Sequence, residues 1–599
     1  MSESAAGGAF KLPGSVKAGR VRKSGQRNVK TGKEGGRWRE YPGQDRRRTG
    51  GKRPRYIRFT PRSFKDSNGD GIGDIRGIIE KLDYIKCLGA DLIWLTPMYV
   101  SPQRDNGYDI ADYYQIDPVY GTMEEFELLL KEAHRRGIRI IMDMVLNHTS
   151  TEHEWFKKAV SEPDSPYRDY YFFRDPKPDG SVPNNWISRF SGPAWKKEEK
   201  SGQYYLHLFE ETQADLNWEN EAVRAECIKI LKFWAEKGVD GFRLDVVNLL
   251  SKTPGLPDDP ITGPKGDGRT HYADGPRIHE YLHLMNQEVF KPYGLVTVGE
   301  MSSTTPEECV LYTREDREEL SMVFSFHHMK TDYKEGSKWT NQMFSLEKLK
   351  ETQSYFQNKM EAGGGWNALF YSNHDQPRAL SRFGNDTFYR EESAKLLAIT
   401  LFGLQGTTYI YQGEELGMRN ACFETLEEYD DRESTGAYWQ MRKDGVSYEE
   451  ALLILRQKSR DNARTPMQWD NTKNHGFSQG EPWLASNPDR ISAENELKNK
   501  SSVFYTYQRL IQYRKQYDIF TEGSYRLLEP SHPQLFLYER TLGKERLLVA
   551  GNFSGQWCHL ALPEGYEAGT ILESNYGRSS LDQTMELKPY ESLMIYLAE

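Results

Sequence analysis

The sequence predicts an α/β fold: a (β/α)8 barrel with a small inserted domain after its third strand and a C-terminal antiparallel β domain. Three observations carry that expectation. From Pro61 onward, short apolar β-rich runs alternate with longer amphipathic stretches over about 400 residues, which implies a parallel sheet that closes after eight units. Polar side chains gather where the apolar runs stop. One connection is far too long for a barrel loop, and the last part of the chain changes to short strands and turns.

Taken in order, the buried strand candidates are Ala90–Pro97, Ile138–Val145, Gly241–Val247, Leu295–Met301, Met322–Phe326, Trp366–Ser372 and Thr407–Gln412. Helical patterns such as Met123–Arg136 and Glu221–Lys237 separate many of them. Between them, residues 61–149 and 218–520 form the barrel. The polar, aromatic, Gly/Pro-punctuated stretch 150–217 is a small domain roofing the mouth. Residues 521–599, with LFLYER, RLLVAGNF and SLMIYLAE, form a C-terminal β-sandwich.

The bulk numbers limit the function classes. A chain of 599 residues exceeds one simple domain and suits a barrel with added modules. The 13% aromatic content suits a sugar cleft, where flat rings stack on pyranose faces. No apolar run reaches the roughly 18 residues that a membrane span needs, and no secretory leader pattern opens the chain. Five scattered cysteines argue for reduced thiols in the cytoplasm, against a disulfide framework and against a zinc site. No membrane or nucleic-acid partner is expected, and a monomer is.

The formal net charge of −9 is uneven. Residues 1–60 hold 17 Lys and Arg against 4 Asp and Glu, a balance of +13 that leaves −22 for the remaining 539. A basic arm of this kind ordinarily suggests a nucleic-acid or membrane surface. Another reading is preferred, because TGGKRPRYIRFT (49–60) puts Arg53, Arg55 and Arg58 where the first barrel strand belongs, and buried unpaired arginines cost several kcal/mol each. Back-translated and shifted by two bases, these codons permit Trp-Trp-Lys-Lys-Ala-(Ser/Thr)-Val-Tyr-Gln-Ile-Tyr directly before Pro61. A frameshift near codon 60 would make residues 1–60 out-of-frame translation; a disordered basic arm is the competing reading.

The chemistry lies at the strand ends, which in a barrel face the catalytic mouth. The third candidate strand ends in Leu146-Asn147-His148. The fourth holds Arg243 and Asp245, two apart and on one face. The fifth ends in Gly299-Glu300 and the seventh in Asn373-His374-Asp375. Any one of these could be an ordinary loop charge; together they supply what glycosidic cleavage needs. One carboxylic acid protonates the leaving oxygen, a second carboxylate meets the anomeric carbon, and an arginine keeps the latter ionised.

The strings DNGYDIADY (105–113), DMVLNHTS (143–150), GFRLDVVN (241–248), VGEM (298–301) and SNHDQPR (372–378) resemble the signature regions of glycoside hydrolase family 13, and its oligo-1,6-glucosidase subgroup most closely. The resemblance runs from about Pro61 to the C-terminus. It implies Asp245 as nucleophile, Glu300 as acid/base and Asp375 as transition-state stabiliser. It implies Asp105, His148, Arg243, His374 and Arg464 (in RDNARTPMQW) as ligands of the glucose being cleaved, with Tyr108 stacked on that ring. Anomeric configuration is then retained.

Asp66, Asn68, Asp70 and Asp74 in DSNGDGIGD place hard oxygens at alternate positions, with Gly71 at the sharp turn, as in the first part of an EF-hand loop. Gly77 stands where an EF-hand has its bidentate Glu. A solvated Asx-turn loop is the plain alternative. In the subgroup it resembles, this string binds one structural Ca²⁺ or Mg²⁺ with help from the carbonyl of Ile72.

Substrate choice rests on two places. Val246 follows the nucleophile, and in the subgroup valine there accompanies α-1,6 or α-1,1 substrates. FSFHHMKTDYKEGSKW (324–339) resembles the FHHxKxDYxxGxKW string of phosphotrehalases, as do GEMSS (299–303) and RTHYADGPRIHEYL (269–282). His327, His328, Lys330 and Lys338 are the expected phosphate ligands, with Lys334 in a solvated turn; a solvated basic stretch is the competing reading. The expected substrate is trehalose 6-phosphate, cleaved to glucose and glucose 6-phosphate. The alternatives are an oligo-1,6-glucosidase, a sucrose isomerase, or a catalytically dead sugar-binding subunit, against which the intact carboxylate set speaks.

Overall fold

The structure is a computed structural model describing residues 56–162, 164–190, 192–261, 266–301 and 303–598. Most of the anomalous segment 1–60, with Arg53 and Arg55, lies outside the described residues, and so do the side chains of 56–59.

Eight parallel strands close into the expected barrel: β1 (Tyr56–Phe59), β2 (Leu92–Leu95), β3 (Arg139–Met144), β4 (Gly241–Leu244), β5 (Val296–Met301), β6 (Met322–Ser325), β7 (Asn367–Leu369) and β8 (Thr407–Tyr411). The backbone of β1 seals the ring, pairing Tyr56 with Leu92 on one side and Tyr409 on the other. A strand therefore does form inside the segment set aside as anomalous. The apolar runs work as predicted because both faces of each strand are covered: every residue of β2 and β4 is buried. The run Trp366–Ser372 yields only the short β7, with Phe370–Ser372 beyond its end.

The helices begin and end where local chemistry says. Asp74 caps α1 (Ile75–Leu88), which stops at Gly89 with φ 96°. A Thr122/Glu125 capping box opens α2 (Met123–Arg135), and α3 (Glu221–Lys237) stops at Gly238.

Between β3 and α3 the chain leaves the barrel. His148–Ser150 pairs with Gln213–Asp215, and beyond them lie a helix, Glu154–Ser161, and a three-stranded sheet of Phe173–Arg174, Trp195–Lys197 and Tyr204–Leu206. A helical hairpin that the sequence reading did not separate from the barrel follows β8: α4 (Arg432–Lys443) and α5 (Tyr448–Lys458), with Tyr438, Met441, Leu452 and Leu455 buried between them.

After α6 (Val503–Gln516) comes a five-stranded antiparallel sheet built from 524–528, 535–542, 545–552, 570–574 and 592–598, faced by the pair Cys558–Ala561 and Thr584–Leu587. Leu537, Leu548, Leu560 and Leu587 fill the space between the two layers. Arg540 ties this sheet to the barrel entirely through carbonyls, donating to Gly403 at 2.9 Å, Phe520 at 3.3 Å and Gly523 at 3.1 Å. Arg514 fastens α6 to the same loop, donating to the Phe402 and Leu404 carbonyls at 2.5 and 2.9 Å.

Candidate active site

Four strand ends and one helical turn meet at the barrel mouth. Arg243 points inward from β4 and is the hub. Its Nη1 donates to Asp143 Oδ1 at 2.7 Å and to Asp245 Oδ1 at 2.5 Å, while Nη2 donates to Glu300. One guanidinium thus holds both expected catalytic carboxylates. Asp143, from β3, was quoted in its motif but not singled out. It also accepts the Tyr108 hydroxyl at 2.8 Å and the Trp94 indole N–H at 3.2 Å.

Three carboxylates thus share one buried arginine. Burial pushes the Asp245 carboxyl well up, Arg243 opposes it, and the Glu300 and Asp143 charges add to the rise. Val246, next in the chain, has φ 35° and ψ 41°. A β-branched residue in left-handed backbone is strained, and such strain concentrates at functional sites. Its N–H lies 3.4 Å from Glu300 Oε2.

The second half of the ring belongs to β7 and to the turn Asp461–Arg464. His374 Nε2 lies 2.9 Å from Asp375 Oδ2. Arg464 donates to Asp375 at 3.1 Å and to the His374 carbonyl at 2.9 Å. Arg460, unnamed by the sequence reading although it opens the RDNAR string, reaches Asp375 at 3.3 Å, Asp105 at 3.4 Å and Asp431 at 2.5 Å. Its signal was the i, i+4 spacing from Arg464. Burial works to raise Asp431, but Arg460 and Arg464 outweigh it and hold that carboxylate well below its ordinary range.

Gln213, from the inserted domain, links the halves. Its amide donates to Asp105 Oδ2 at 3.1 Å and lies 3.3 Å from His148 Nε2. Burial raises Asp105 to about 6 against the pull of Arg460 and Arg464, and lowers His148 to about 4, so His148 is a neutral hydrogen-bonding group at neutral pH. Tyr108 lies flat on His374, with ring centroids 5.2 Å apart and planes 8° apart.

The basic string behaves unevenly. His328 is turned inward, its Nε2 2.8 Å from the Phe370 carbonyl, and burial lowers it to about 3. His327 sits 3.0 Å from Ser325 Oγ with its ring against Phe356, lowered by burial to about 4. Both are uncharged at neutral pH, so any positive charge in this string comes from its lysines. Lys338 is paired with Glu433 on α4 at 2.5 Å. The Lys330 ammonium has no hydrogen bond or ion pair with any described residue, and burial lowers it to about 8, the charges of Arg269 and Arg189 adding to the fall.

In the Asp-rich loop, Asp66 accepts N–H groups from Asn68, Gly69 and Gly71 at 2.7–2.9 Å. Gly71 has φ 91°, and a Cβ there would meet the Glu481 carbonyl at 1.9 Å. Asp74 is committed to Ser67 and to the N-terminus of α1. Among the described residues no group of three or more His, Cys, Asp or Glu gathers in metal-ligating geometry. Asp66, Asn68 and Asp70 nevertheless place oxygens on one turn, a partial fit to a hard cation.

Comparison with known proteins agrees with this geometry. The "Alpha amylase, catalytic domain" family model matches residues 59–523, and an "Alpha-amylase SusG C-terminal domain" model matches 535–594. The chain is 53% identical to a trehalose-6-phosphate hydrolase of Bacillus subtilis, over 90% of this chain and 96% of that one. It is 50% identical to an oligo-1,6-glucosidase of Parageobacillus thermoglucosidasius, over 89% and 96%. The crystal structure of Bacillus licheniformis trehalose-6-phosphate hydrolase superposes with a TM-score of 0.87 at 51% identity, over 92% of this chain and 99% of that one.

Proposed function

The chain belongs to the α-amylase family of glycoside hydrolases, and from that premise we propose that it is a retaining α-glucosidase that hydrolyses trehalose 6-phosphate to glucose and glucose 6-phosphate. The single observation that carries the choice of substrate is Lys330 at the mouth of β6, a cation with no counter-ion among the described residues and with the charges of Arg269 and Arg189 bearing on it. Relatives of both activities, trehalose-6-phosphate hydrolase and oligo-1,6-glucosidase, match over most of the chain. An uncharged isomaltose-like substrate would leave that positive charge unused.

Asp245 attacks the anomeric carbon while Glu300 gives its proton to the glycosidic oxygen. Water then cleaves the glycosyl ester with Glu300 as base. The shared grip of Arg243 supports the close carboxylate spacing of retention, about 5–5.5 Å. The first step needs Asp245 ionised, and Arg243 works toward that against the burial of the site. Asp375, Arg464, His148, His374 and Asp105 hold the hydroxyls of the first glucose, whose ring lies on Tyr108.

Asp66, Asn68, Asp70 and the Ile72 carbonyl would hold a structural Ca²⁺ or Mg²⁺ that stiffens the loop, with Asp74 joining them only by giving up its bonds to Ser67 and α1. Five unbridged cysteines support a reducing, cytoplasmic setting. No helix among the described residues is long and apolar enough to cross a membrane.

Glucose release from trehalose 6-phosphate, trehalose and isomaltose, compared side by side, tests the assignment. Preference for the phosphorylated substrate by an order of magnitude or more is expected; equal or better turnover of isomaltose would move the chain to the oligo-1,6-glucosidases.

A further inference from the structure

Lys330 ends the single turn His327–Lys330 that follows β6. The charges bearing on it belong to Arg269 and Arg189, which stand outside the string first singled out for phosphate. Arg269 donates through Nη1 to Ser303 Oγ at 3.1 Å, just beyond the end of the strand that carries Glu300, and through Nη2 to Asp267 at 2.7 Å. Arg189 lies 3.9 Å from the same carboxylate. The next residue, Phe190, lies beneath Arg460 with the guanidinium carbon 5.2 Å from its ring, and Arg460 is paired with Asp375. The cluster is therefore bracketed by the acid/base strand on one side and the third catalytic carboxylate on the other. That is the rim where the leaving sugar must sit.

Asp267 is paired with both arginines, and the Lys330 ammonium makes no ion pair with any described residue, so a phosphate monoester, which carries about −1.5 to −2 at neutral pH, would meet three cations there. Like charges set around a half-buried lysine are unfavourable until an anion joins them. Guanidinium groups offer planar forked donors that suit phosphate oxygens, with the lysine as a point charge between them.

We propose that Arg269 and Arg189, braced by Asp267, complete with Lys330 a three-pronged site for the phosphate of the leaving sugar, and that preference for the phosphorylated disaccharide resides there. This rests on the substrate reading above and deepens it. Asp267 binds no substrate; it holds the two guanidinium groups apart and aimed.

The test compares wild type, Arg269→Gln, Arg189→Gln and Arg269→Lys on trehalose 6-phosphate and on an uncharged aryl α-glucoside. Glucose 6-phosphate serves as competitor for aryl glucoside cleavage, with glucose as control, and melting curves check folding. Wild type should prefer the phosphorylated substrate and be inhibited more strongly by glucose 6-phosphate than by glucose. Each glutamine variant should lower the ratio of kcat/KM values, phosphorylated over neutral, by roughly ten- to hundredfold, with a parallel rise in the inhibition constant of glucose 6-phosphate. Arg269→Lys should recover part of the loss. A selective wild type whose ratio survives both glutamine changes would overturn this inference and leave the substrate reading standing. A wild type with no preference and no competition would sink the substrate reading itself.

Discussion

Lys330 is charged at neutral pH in a place that disfavours charge. Its folded value of about 8 lies below the unfolded value near 10.5, so the folded chain binds its proton less firmly. The penalty is fully present below pH 8 and fades as pH rises from 8 toward 10.5. Lys330→Met should therefore raise Tm at pH 7 by about 1–3 °C, with the gap closing near pH 10, while the preference for trehalose 6-phosphate falls by about tenfold or more. An equal or lower Tm at pH 7 would mean that the lysine supports the fold. The same titration predicts that KM for trehalose 6-phosphate rises above pH 8, because Arg269 and Arg189 keep their charge and Lys330 does not. Asp245→Asn should abolish turnover, since an amide forms no glycosyl ester; Glu300→Gln should keep activity on aryl glucosides with good leaving groups and lose it on disaccharides. Detection of wild-type rates for either variant on trehalose 6-phosphate would contradict the assigned roles. At this scale the sequence was informative where a polar residue ends an apolar run, as with Asp245, Glu300 and Asp375. It did not show that the His328 ring meets the Phe370 carbonyl, or that Lys338 is paired with Glu433, 95 residues away. Nothing in either string marks such a partner.

The turn that carries Lys330 is held from behind by a buried ion triad. Asp332 receives Arg382 at 2.6 and 2.9 Å and Lys458 at 2.6 Å. Arg382 also donates to Gln376 at 2.8 Å, immediately after Asp375. The turn that carries Lys330 is thus coupled to the end of β7, and Lys458 on α5 ties both to the helical hairpin. Removing one member strands the others without compensation, so Asp332→Ala should cost about 3–5 kcal/mol of stability. In an Asp332→Asn chain that still folds, KM for trehalose 6-phosphate should rise more than kcat for an aryl glucoside falls; unchanged KM with a large loss of kcat would place the triad under the chemistry instead. The barrel strands were legible because burial on both faces makes them continuous apolar runs. The α4–α5 hairpin was not, because amphipathic helices after a barrel strand look alike whether they pack on the barrel or on each other.

The barrel and both appended β regions were visible in the sequence through changes of period, whereas the site ring was only partly visible, because Arg460, Gln213, Arg189 and Arg269 come from loops that carry no periodic signal. If a cation occupies the Asp66–Asp74 loop, excess chelator should lower Tm by mass action on the native state without altering product configuration; an unchanged Tm after verified metal removal would leave the loop a hydrogen-bonded turn. β1 raises a separate matter. Its four positions, 56–59, are those at which the shifted reading frame supplies Val-Tyr-Gln-Ile in place of Tyr-Ile-Arg-Phe. Resequencing across codon 60, with mass spectrometry for peptides from residues 1–60, decides between frameshift and basic arm: an unaltered reading together with a detected peptide would reject the frameshift. The joint made by Arg540 and Arg514 has a different bearing. Every acceptor named for them is a main-chain oxygen, and a main-chain oxygen is present whatever residue supplies it. The loop they grip can therefore drift in sequence without loosening the hold, provided its backbone path is kept, while the two arginines, one on α6 and one on the sheet, must be retained. Grafting residues 524–598 onto a relative's barrel should succeed when these two positions match, even where the apposed loops share few amino acids.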